Sequence, residues 1–182
     1  MKNIFKQVIL LLAYLSSATV WCQSDLSIST QLYPTGIIPG LQLDQVIGEN
    51  EAILFRIGYQ FIDHRDLGVH DDEQGNGYGL TVGYKKYLHE SPQKLYWAIK
   101  SDLWFNAIDW YDIEVNDNRI IGSTDITVLQ HTAELGYQFL FPSDFFINPS
   151  IAFGWEWNIK TDGEPTGQGA ILLIGLQLGK RF

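Results

Sequence analysis

Residues 126–140 have the sequence ITVLQHTAELGYQFL, in which apolar and polar side chains alternate with a period of two. One face carries Leu129, His131, Ala133, Leu135, Tyr137 and Phe139, and the other carries Gln130, Thr132, Glu134, Gly136 and Gln138. A period of two is typical of a β-strand, whose successive side chains point to opposite faces. The stretch therefore predicts a strand with one apolar face and one polar face.

Seven further segments show the same alternation and are bounded by turn residues. Together with residues 126–140, the predicted strands are 25–33, 37–47, 51–62, 77–88, 94–110, 145–159 and 168–182. The chain has 182 residues, which is enough for one domain. The sequence thus predicts an all-β, antiparallel domain of eight strands.

The first 22 residues have the pattern of a secretory signal peptide. Lys2 and Lys6 precede an apolar run at 8–15, which is too short for a membrane helix of about 20 residues. We expect cleavage after Cys22, so that residues 23–182 form the mature domain without cysteine. A lipoprotein with an acylated Cys22 is the alternative reading of the same segment.

The charge of the chain argues against binding to nucleic acid. Twelve basic and 21 acidic residues give a formal net charge of −9. Nucleic-acid binding needs clustered Lys and Arg to neutralise phosphates. We therefore expect no nucleic-acid partner.

The alternation fits a soluble barrel with its apolar face inside and a membrane barrel with its apolar face on lipid. Connection length separates the two. Tight connections at 48–50, 89–93 and 141–144 alternate with long ones at 63–76 and 111–125. Outer-membrane barrels have short periplasmic turns and longer outer loops, so this pattern favours the membrane barrel.

The aromatic residues are sorted toward the two ends of the predicted strands. Those near the upper ends are Tyr33, Tyr59, Phe61, Tyr78, Phe105, Trp155 and Trp157, and those near the lower ends are Tyr84, Trp97, Tyr137, Phe139, Phe141, Phe145 and Phe182. The aliphatic belt between them is Ile57, Leu80, Val82, Ile99, Leu103, Leu135, Ile151, Leu172 and Ile174. Aromatic rings with polar tips concentrate at the headgroup level of a membrane, so the sorting predicts a transmembrane barrel.

The last segment carries a family resemblance. Residues 168–182 alternate and end on Phe182, which resembles the C-terminal strand that bacterial outer-membrane proteins present to their insertion machinery. Lys180 lies where that strand usually has an apolar residue, and we expect its side chain to snorkel to the interface. The tetrapeptide Gly-Tyr-Gln-Phe occurs at 58–61 and again at 136–139.

On these features, residues 24–182 resemble the small eight-stranded outer-membrane barrels of the OmpX and OmpA membrane-domain type. The resemblance implies an antiparallel up-and-down transmembrane β-barrel in the outer membrane of a Gram-negative bacterium. It also implies contact with outer-membrane lipids and lipopolysaccharide, contact with the barrel-insertion machinery during biogenesis, and a monomeric state.

The polar face of the predicted strands would line the interior. It carries Gln42, Asp44, Arg56, Gln60, Lys85, Lys100, Asp102, Gln130, Glu134, Asn148 and Glu156. An eight-stranded interior is just wide enough for side chains to fill it, and buried charges persist when they are paired. A plugging network and a narrow, porin-like path for ions or protons both remain open. Arg56, Lys100, Asp102 and Glu134 share a depth, which allows a direct Arg56–Glu134 pair.

Several inward positions are glycines, and we expect them to leave room for larger neighbours. They are Gly58, Gly79, Gly83, Gly136, Gly154 and Gly179.

One outer connection contains the residue types of a divalent-cation site. These residues are His64, Arg65, His70, Asp71, Asp72 and Glu73. Their spacing matches no defined coordination motif, so we expect a solvated acidic loop without a bound metal.

Three other groups contain residue types that could act in catalysis or binding. His89-Glu90-Ser91 resembles the His-x-Ser pair of outer-membrane lipid A deacylases, but it lies in a predicted turn, away from lipid. His131 is expected to be an interfacial residue. The remaining group either lines a small pocket at the mouth or closes the barrel top, and it consists of Trp104, Asn106, Asp109 and Trp110.

The sequence thus favours a non-enzymatic integral outer-membrane barrel with a structural or surface-binding role. We expect no catalytic, cofactor-binding or metal site. One alternative is a membrane-embedded lipid-modifying enzyme, of the lipid A deacylase or acyltransferase type, in the same barrel. A second alternative is a secreted soluble barrel that binds an apolar ligand.

Overall fold

The computed structural model describes residues 23–63, 69–113 and 119–182. They form eight strands, which are β1 (Ser24–Tyr33), β2 (Gly36–Val46), β3 (Glu51–Asp63), β4 (Asp72–Tyr87), β5 (Lys94–Ile113), β6 (Arg119–Leu140), β7 (Phe145–Asp162) and β8 (Gly169–Arg181). The signal peptide predicted for residues 1–22 lies outside the described residues. Within the described ranges, no helix is long and apolar enough to cross a membrane.

Each strand pairs antiparallel with the next one along the chain, and β8 returns to pair with β1. The closing seam runs from Asp25 opposite Arg181 to Leu32 opposite Ile174. Closure supplies backbone hydrogen-bond partners along this seam, which would otherwise be an open sheet edge. The predicted eight-stranded up-and-down β-barrel is therefore confirmed.

The strands on one side of the barrel are longer than predicted. β4 begins at Asp72 and β6 at Arg119, so strand structure occupies part of the connection expected at 63–76 and most of the one expected at 111–125. Glycine favours turns, and Gly75 lies in the segment 63–76 that was predicted to be a connection. In the structure Gly75 lies in the ladder opposite Ile108 of β5, because pairing between neighbouring strands outweighs its local preference.

The two ends of the barrel differ in shape. At the lower end, which holds both Ser24 and Arg181, the connections are short and the rim is even. At the upper end, Pro34 and Thr35 alone join β1 to β2, whereas β5 and β6 extend far above them. The upper rim is therefore low on the β1–β2 side and tall on the β5–β6 side.

The outward face is apolar along most of its height. Leu80, Ile99, Leu135 and Ile151 are each at least half exposed, at 56, 57, 50 and 50%. Outward aromatic residues flank this aliphatic belt above and below, as the sequence predicts. Tyr33 is the exception, since its side chain points inward against the interior cluster and not outward.

The interior contains two apolar clusters at different heights. The larger one fills the upper half and consists of Ile38, Ile62, Trp104, Ile108, Ile126, Val128, Ala152, Ile171 and Leu173. The smaller one lies in the lower half and consists of Leu54, Tyr87, Tyr96 and Ala98. Because an apolar layer excludes ions, the upper cluster separates the charged lower interior from the upper mouth.

Inward glycines make room for the largest interior side chains. A Cβ at Gly79 would lie 2.6 Å from Cδ2 of Trp104, and one at Gly136 would lie 2.6 Å from Cε1 of Tyr96. The prediction that such glycines accommodate larger neighbours is confirmed at both positions. Gly154 differs, since a Cβ there would approach the backbone carbonyl carbon of His131 at 2.8 Å.

Candidate functional site

The centre of the interior is organised around a buried arginine. Nη2 of Arg56 lies 2.8 Å from Oδ1 of Asp102, and both side chains are at most 2% exposed. Nε of Arg56 donates to Oγ1 of Thr81 at 3.0 Å, and Nη1 donates to Oε1 of Gln31. The guanidinium also lies 5.6 Å from the ring centroid of Trp104. The charge of Arg56 is thus compensated on all sides in the protein.

Two lysines form further buried pairs below this centre. Nζ of Lys100 donates to Oε2 of Glu134, and Nζ of Lys85 donates to Oδ2 of Asp44. The hydroxyl of Tyr96 lies 3.0 Å from Oε1 of Glu134, and the ammonium of Lys85 lies 4.6 Å from the ring centroid of Tyr96. Tyr96 therefore links the two pairs into one network.

The lower end is closed by a second arginine. Arg181 donates to both carboxylate oxygens of Asp25 at 2.7 Å, and its Nη2 donates to the backbone oxygen of Pro92 at 2.5 Å. Gln138 donates to Oδ2 of Asp25 at 2.8 Å, and Tyr87 donates to Oε1 of Gln138 at 2.6 Å. These contacts tie β8, β1, β4, β6 and the turn after β4 together.

The predicted interior residues are inward, but one proposed pairing is wrong. Arg56 and Glu134 have different partners, Asp102 and Lys100, so a direct Arg56–Glu134 pair does not form. The strands are tilted, and the register across β3, β4 and β5 places Asp102 against Arg56. Glu156 is only partly buried. The other predicted interior residues are buried, namely Gln42, Asp44, Arg56, Gln60, Lys85, Lys100, Asp102, Gln130, Glu134 and Asn148.

A few buried polar atoms have no protein partner in the described part of the chain. They include both amide atoms of Gln130, Oγ1 of Thr132 and Nε1 of Trp104. These side chains lie at the boundary between the charged network and the upper apolar cluster. Internal water ordinarily satisfies polar atoms in such positions.

The upper rim contains an ordered His–Asp contact. The ring of His70 stacks on Trp110 with centroids 3.9 Å apart, and its Nδ1 lies 2.9 Å from Oδ2 of Asp112. The contact with His70 and a backbone N–H from Asp71 lower the pKa of the Asp112 carboxyl. Oε1 of the fully buried Glu73 accepts hydrogen bonds from the backbone N–H groups of Val69 and His70, at 2.8 and 3.3 Å.

In the described part of the acidic loop, this contact holds His70 and the backbone of Asp71 against Asp112, while the side chain of Asp71 is exposed as expected for a solvated loop. Oδ2 of Asp71 accepts a hydrogen bond from the backbone N–H of Ile113 at 2.7 Å. Asp71 therefore contacts β5 through both its side chain and its backbone N–H, which donates to Asp112. His64 and Arg65 lie outside the described residues. Among the residues that the structure describes, no group of three or more His, Cys, Asp or Glu is placed to hold a metal ion.

The four residues assigned to the barrel top have different positions. Trp104 and Asn106 are buried inside the barrel, and Asn106 donates to Oε1 of Gln60 at 3.3 Å. Trp110 is inward and donates from Nε1 to Oγ1 of Thr124 at 3.1 Å. Asp109 points outward. Three of the four thus fill the upper interior.

The turn at His89 has no catalytic arrangement among its described contacts. Nδ1 of His89 lies 3.2 Å from Oγ of Ser91, while Nε2 lies 3.2 Å from the ammonium of Lys94. A base needs an orienting acid on its second nitrogen, and here that position holds a cation. Glu90 is exposed at the edge of the turn.

Comparison with known proteins gives matches at the level of structure. No protein-family model matches the chain, and no curated protein sequence matches it. A major outer membrane protein from Thermus thermophilus aligns over 88% of this chain and 99% of its own, with a TM-score of 0.52 and 12% identity. Ail, the attachment invasion locus protein of Yersinia pestis, aligns over 88% and 97%, with a TM-score of 0.51 and 12% identity. The N-terminal β-barrel domain of Pseudomonas aeruginosa OprF aligns over 88% and 97%, with a TM-score of 0.49 and 17% identity.

The fold is that of a small outer-membrane barrel. In this barrel, the outward apolar belt occupies the surface that faces lipid in the outer-membrane fold. Because function depends on particular sites and not on the fold, the interior network and the upper rim are the candidate sites of this barrel.

Several residues that complete the barrel's interior were not predicted from the sequence. Tyr96 and Asp25 lie on the inward face of their strands. Each is an even number of residues from another inward residue, Lys100 on β5 and Ser27 on β1, and this spacing could have identified them. Asp25, the carboxylate partner of Arg181, lies 156 residues away along the chain, so no local pattern indicates the pair. Ser101, which contacts His131 on the outward face, was also missed.

Proposed function

We propose that this chain is a non-enzymatic integral outer-membrane protein that spans the membrane as a closed barrel. The observation that carries the proposal is the inverted polarity of the two faces. Charged side chains such as Arg56 and Lys100 are buried, while Leu80 and Ile99 are more than half exposed. In water that apolar belt would be exposed to solvent, which is unfavourable, whereas in a bilayer it would contact the acyl chains of lipids.

The signal-peptide pattern of residues 1–22 supports export, and the fold supports insertion into the outer membrane. The apolar belt would contact membrane lipid, with lipopolysaccharide on the side of the upper rim. The strand β8 would present its C-terminal end to the insertion machinery. In this orientation the lower end faces the periplasm and the tall upper rim faces the exterior.

We further propose that the tall rim is the binding surface. Val69, Ile113 and Ile121 are exposed by 61, 58 and 76% beyond the aromatic girdle, where no lipid would cover them. Arg119 stacks over the ring of Tyr111 at 3.6 Å beside this patch. Exposed apolar side chains next to a stacked cation are typical of protein-binding surfaces.

Fractionation tests the location. The mature chain should sediment with outer membranes and migrate faster on gels without heating than after boiling, because the closed barrel is compact. A soluble periplasmic product with no heat-dependent migration would overturn the proposal.

Two measurements test the sealed, non-enzymatic character. Purified barrel in planar bilayers should give no steady current, since the upper apolar cluster and the paired charges block the interior. Lipid A from a deletion strain should have the same masses as lipid A from the parent strain. A steady channel current would contradict the sealed interior, and an altered lipid A mass would point to an enzyme.

A further inference from the structure

One polar pair lies within the apolar outward belt. Ser101 of β5 is directly opposite His131 of β6, and Oγ of Ser101 lies 2.8 Å from Nδ1 of His131. The outward residues around the pair on β4 to β7 are apolar, namely Val82, Ile99, Leu103, Leu129, Ala133, Phe153, Trp155 and Trp157. The pair is thus a polar island on the surface that the proposed function places in lipid.

The hydrogen bond between the two side chains determines what His131 offers to lipid. The hydroxyl of Ser101 lies within hydrogen-bond distance of Nδ1 of His131 and can donate its proton to that nitrogen. A neutral imidazole that accepts at Nδ1 carries its proton on Nε2. Among the described residues Nε2 of His131 has no hydrogen-bond partner, and the side chain is exposed on the outward face.

The depth of the pair indicates which lipid group can meet this donor. Trp155 is opposite His131 in the β6–β7 register, and the ring of Trp157 lies 5.7 Å from the imidazole at 65°. Both tryptophans belong to the upper aromatic girdle, which lies at the boundary between headgroups and acyl chains. Acyl-ester carbonyls are the acceptors at that boundary.

We propose that the Ser101–His131 pair is a docking site for an acyl lipid of the upper leaflet. Nε2 of His131 donates to the lipid's ester carbonyl oxygen, Ser101 holds the imidazole in the required tautomer, and Trp155 and Trp157 flank the chain. This inference rests on the proposed membrane location. The residues around His131 on this face include no carboxylate, so the pair lacks the orienting acid of a hydrolytic triad.

The test compares two lipids that differ only at the linkage. Protein with ¹⁵N-labelled histidine is reconstituted in nanodiscs of diester phosphatidylcholine and of diether phosphatidylcholine with the same chains. The His131 Nε2 proton, assigned by its disappearance in His131→Leu, should resonate at lower field and exchange more slowly in the diester lipid.

Identical Nε2 signals in diester and diether nanodiscs would overturn the inference. Ser101→Ala is the matched variant, and it should weaken the difference between the two lipids because the tautomer is no longer fixed. Release of free fatty acid would instead assign hydrolysis to the pair. Quenching of Trp155 and Trp157 by brominated acyl chains serves as the separate check, since its absence would refute the membrane location itself.

Discussion

At the residue scale, the buried charges are stabilised by particular partners and not by a general polar environment. Replacing Arg56 with Met leaves Asp102 buried without its cation and should destabilise the barrel by about 3–5 kcal/mol. The Arg56→Met/Asp102→Leu double variant should lose much less than the sum of the two single variants. Urea unfolding in lipid vesicles gives the four free energies of unfolding.

The control for this cycle is a pair of charges that share the interior but not a contact. Arg56→Met combined with Glu134→Gln should be closer to additive, because Glu134 is bound by Lys100 and Tyr96. Equal coupling in both cycles would mean that the interior charges act as one diffuse cluster. Neutral single variants would mean that the interior is solvated.

A second residue-scale prediction concerns the contact between Gly79 and Trp104. Gly79→Val inserts a branched side chain where even a Cβ would lie 2.6 Å from Cδ2 of the indole, and overpacking of this kind costs about 1–3 kcal/mol. Trp104→Leu should partly rescue Gly79→Val, since a smaller side chain frees the space. Urea unfolding in lipid vesicles measures the rescue. If Trp104→Leu restored no stability to Gly79→Val, the contact with Trp104 would not be the source of the strain.

At the element scale, the upper ends of β4 and β5 are joined by a pH-sensitive contact. The pKa of Asp112 is lowered from 3.8 by the contact with His70, so the folded state favours the carboxylate. The contact therefore contributes fully above pH 3.8 and is lost as the pH falls through the lowered pKa. The backbone amide of Asp71 donates to Asp112. Its hydrogen exchange should stay protected while the pH is above the lowered pKa of Asp112 and should lose protection once the pH falls below that pKa.

Asp112→Asn is the matched variant for this titration, because it retains the shape of the side chain and has no carboxyl to titrate. Its Asp71 amide should exchange with no step in protection in the acidic range. A step that persists in this variant would assign the transition to another group of the rim.

The same elements show how far sequence reasoning reaches. Alternation predicts the faces of Arg56, Lys100 and Glu134, because the period of a strand is a local property. It does not predict their partners, which depend on strand tilt and on the register between distant strands. The predicted strand ends are wrong for a related reason, since Gly75 is a turn residue by local preference but pairs with Ile108 in the ladder.

At the scale of the whole molecule, the outward belt determines which solvent the barrel needs. Leu135 and Ile151 are opposite each other on β6 and β7, and both are 50% exposed in the middle of the belt. Replacing either with Arg puts a charge where the bilayer is most apolar, at a cost of about 2–4 kcal/mol. Unfolding in vesicles should detect this loss for each single variant.

The control for these variants is Ile121→Arg in the upper rim. Ile121 is exposed and lies beyond the aromatic girdle, so this change should leave the free energy of unfolding nearly unchanged. If the Leu135 and Ile121 variants were equally stable, the belt would not lie in lipid, and the barrel would be of the soluble kind.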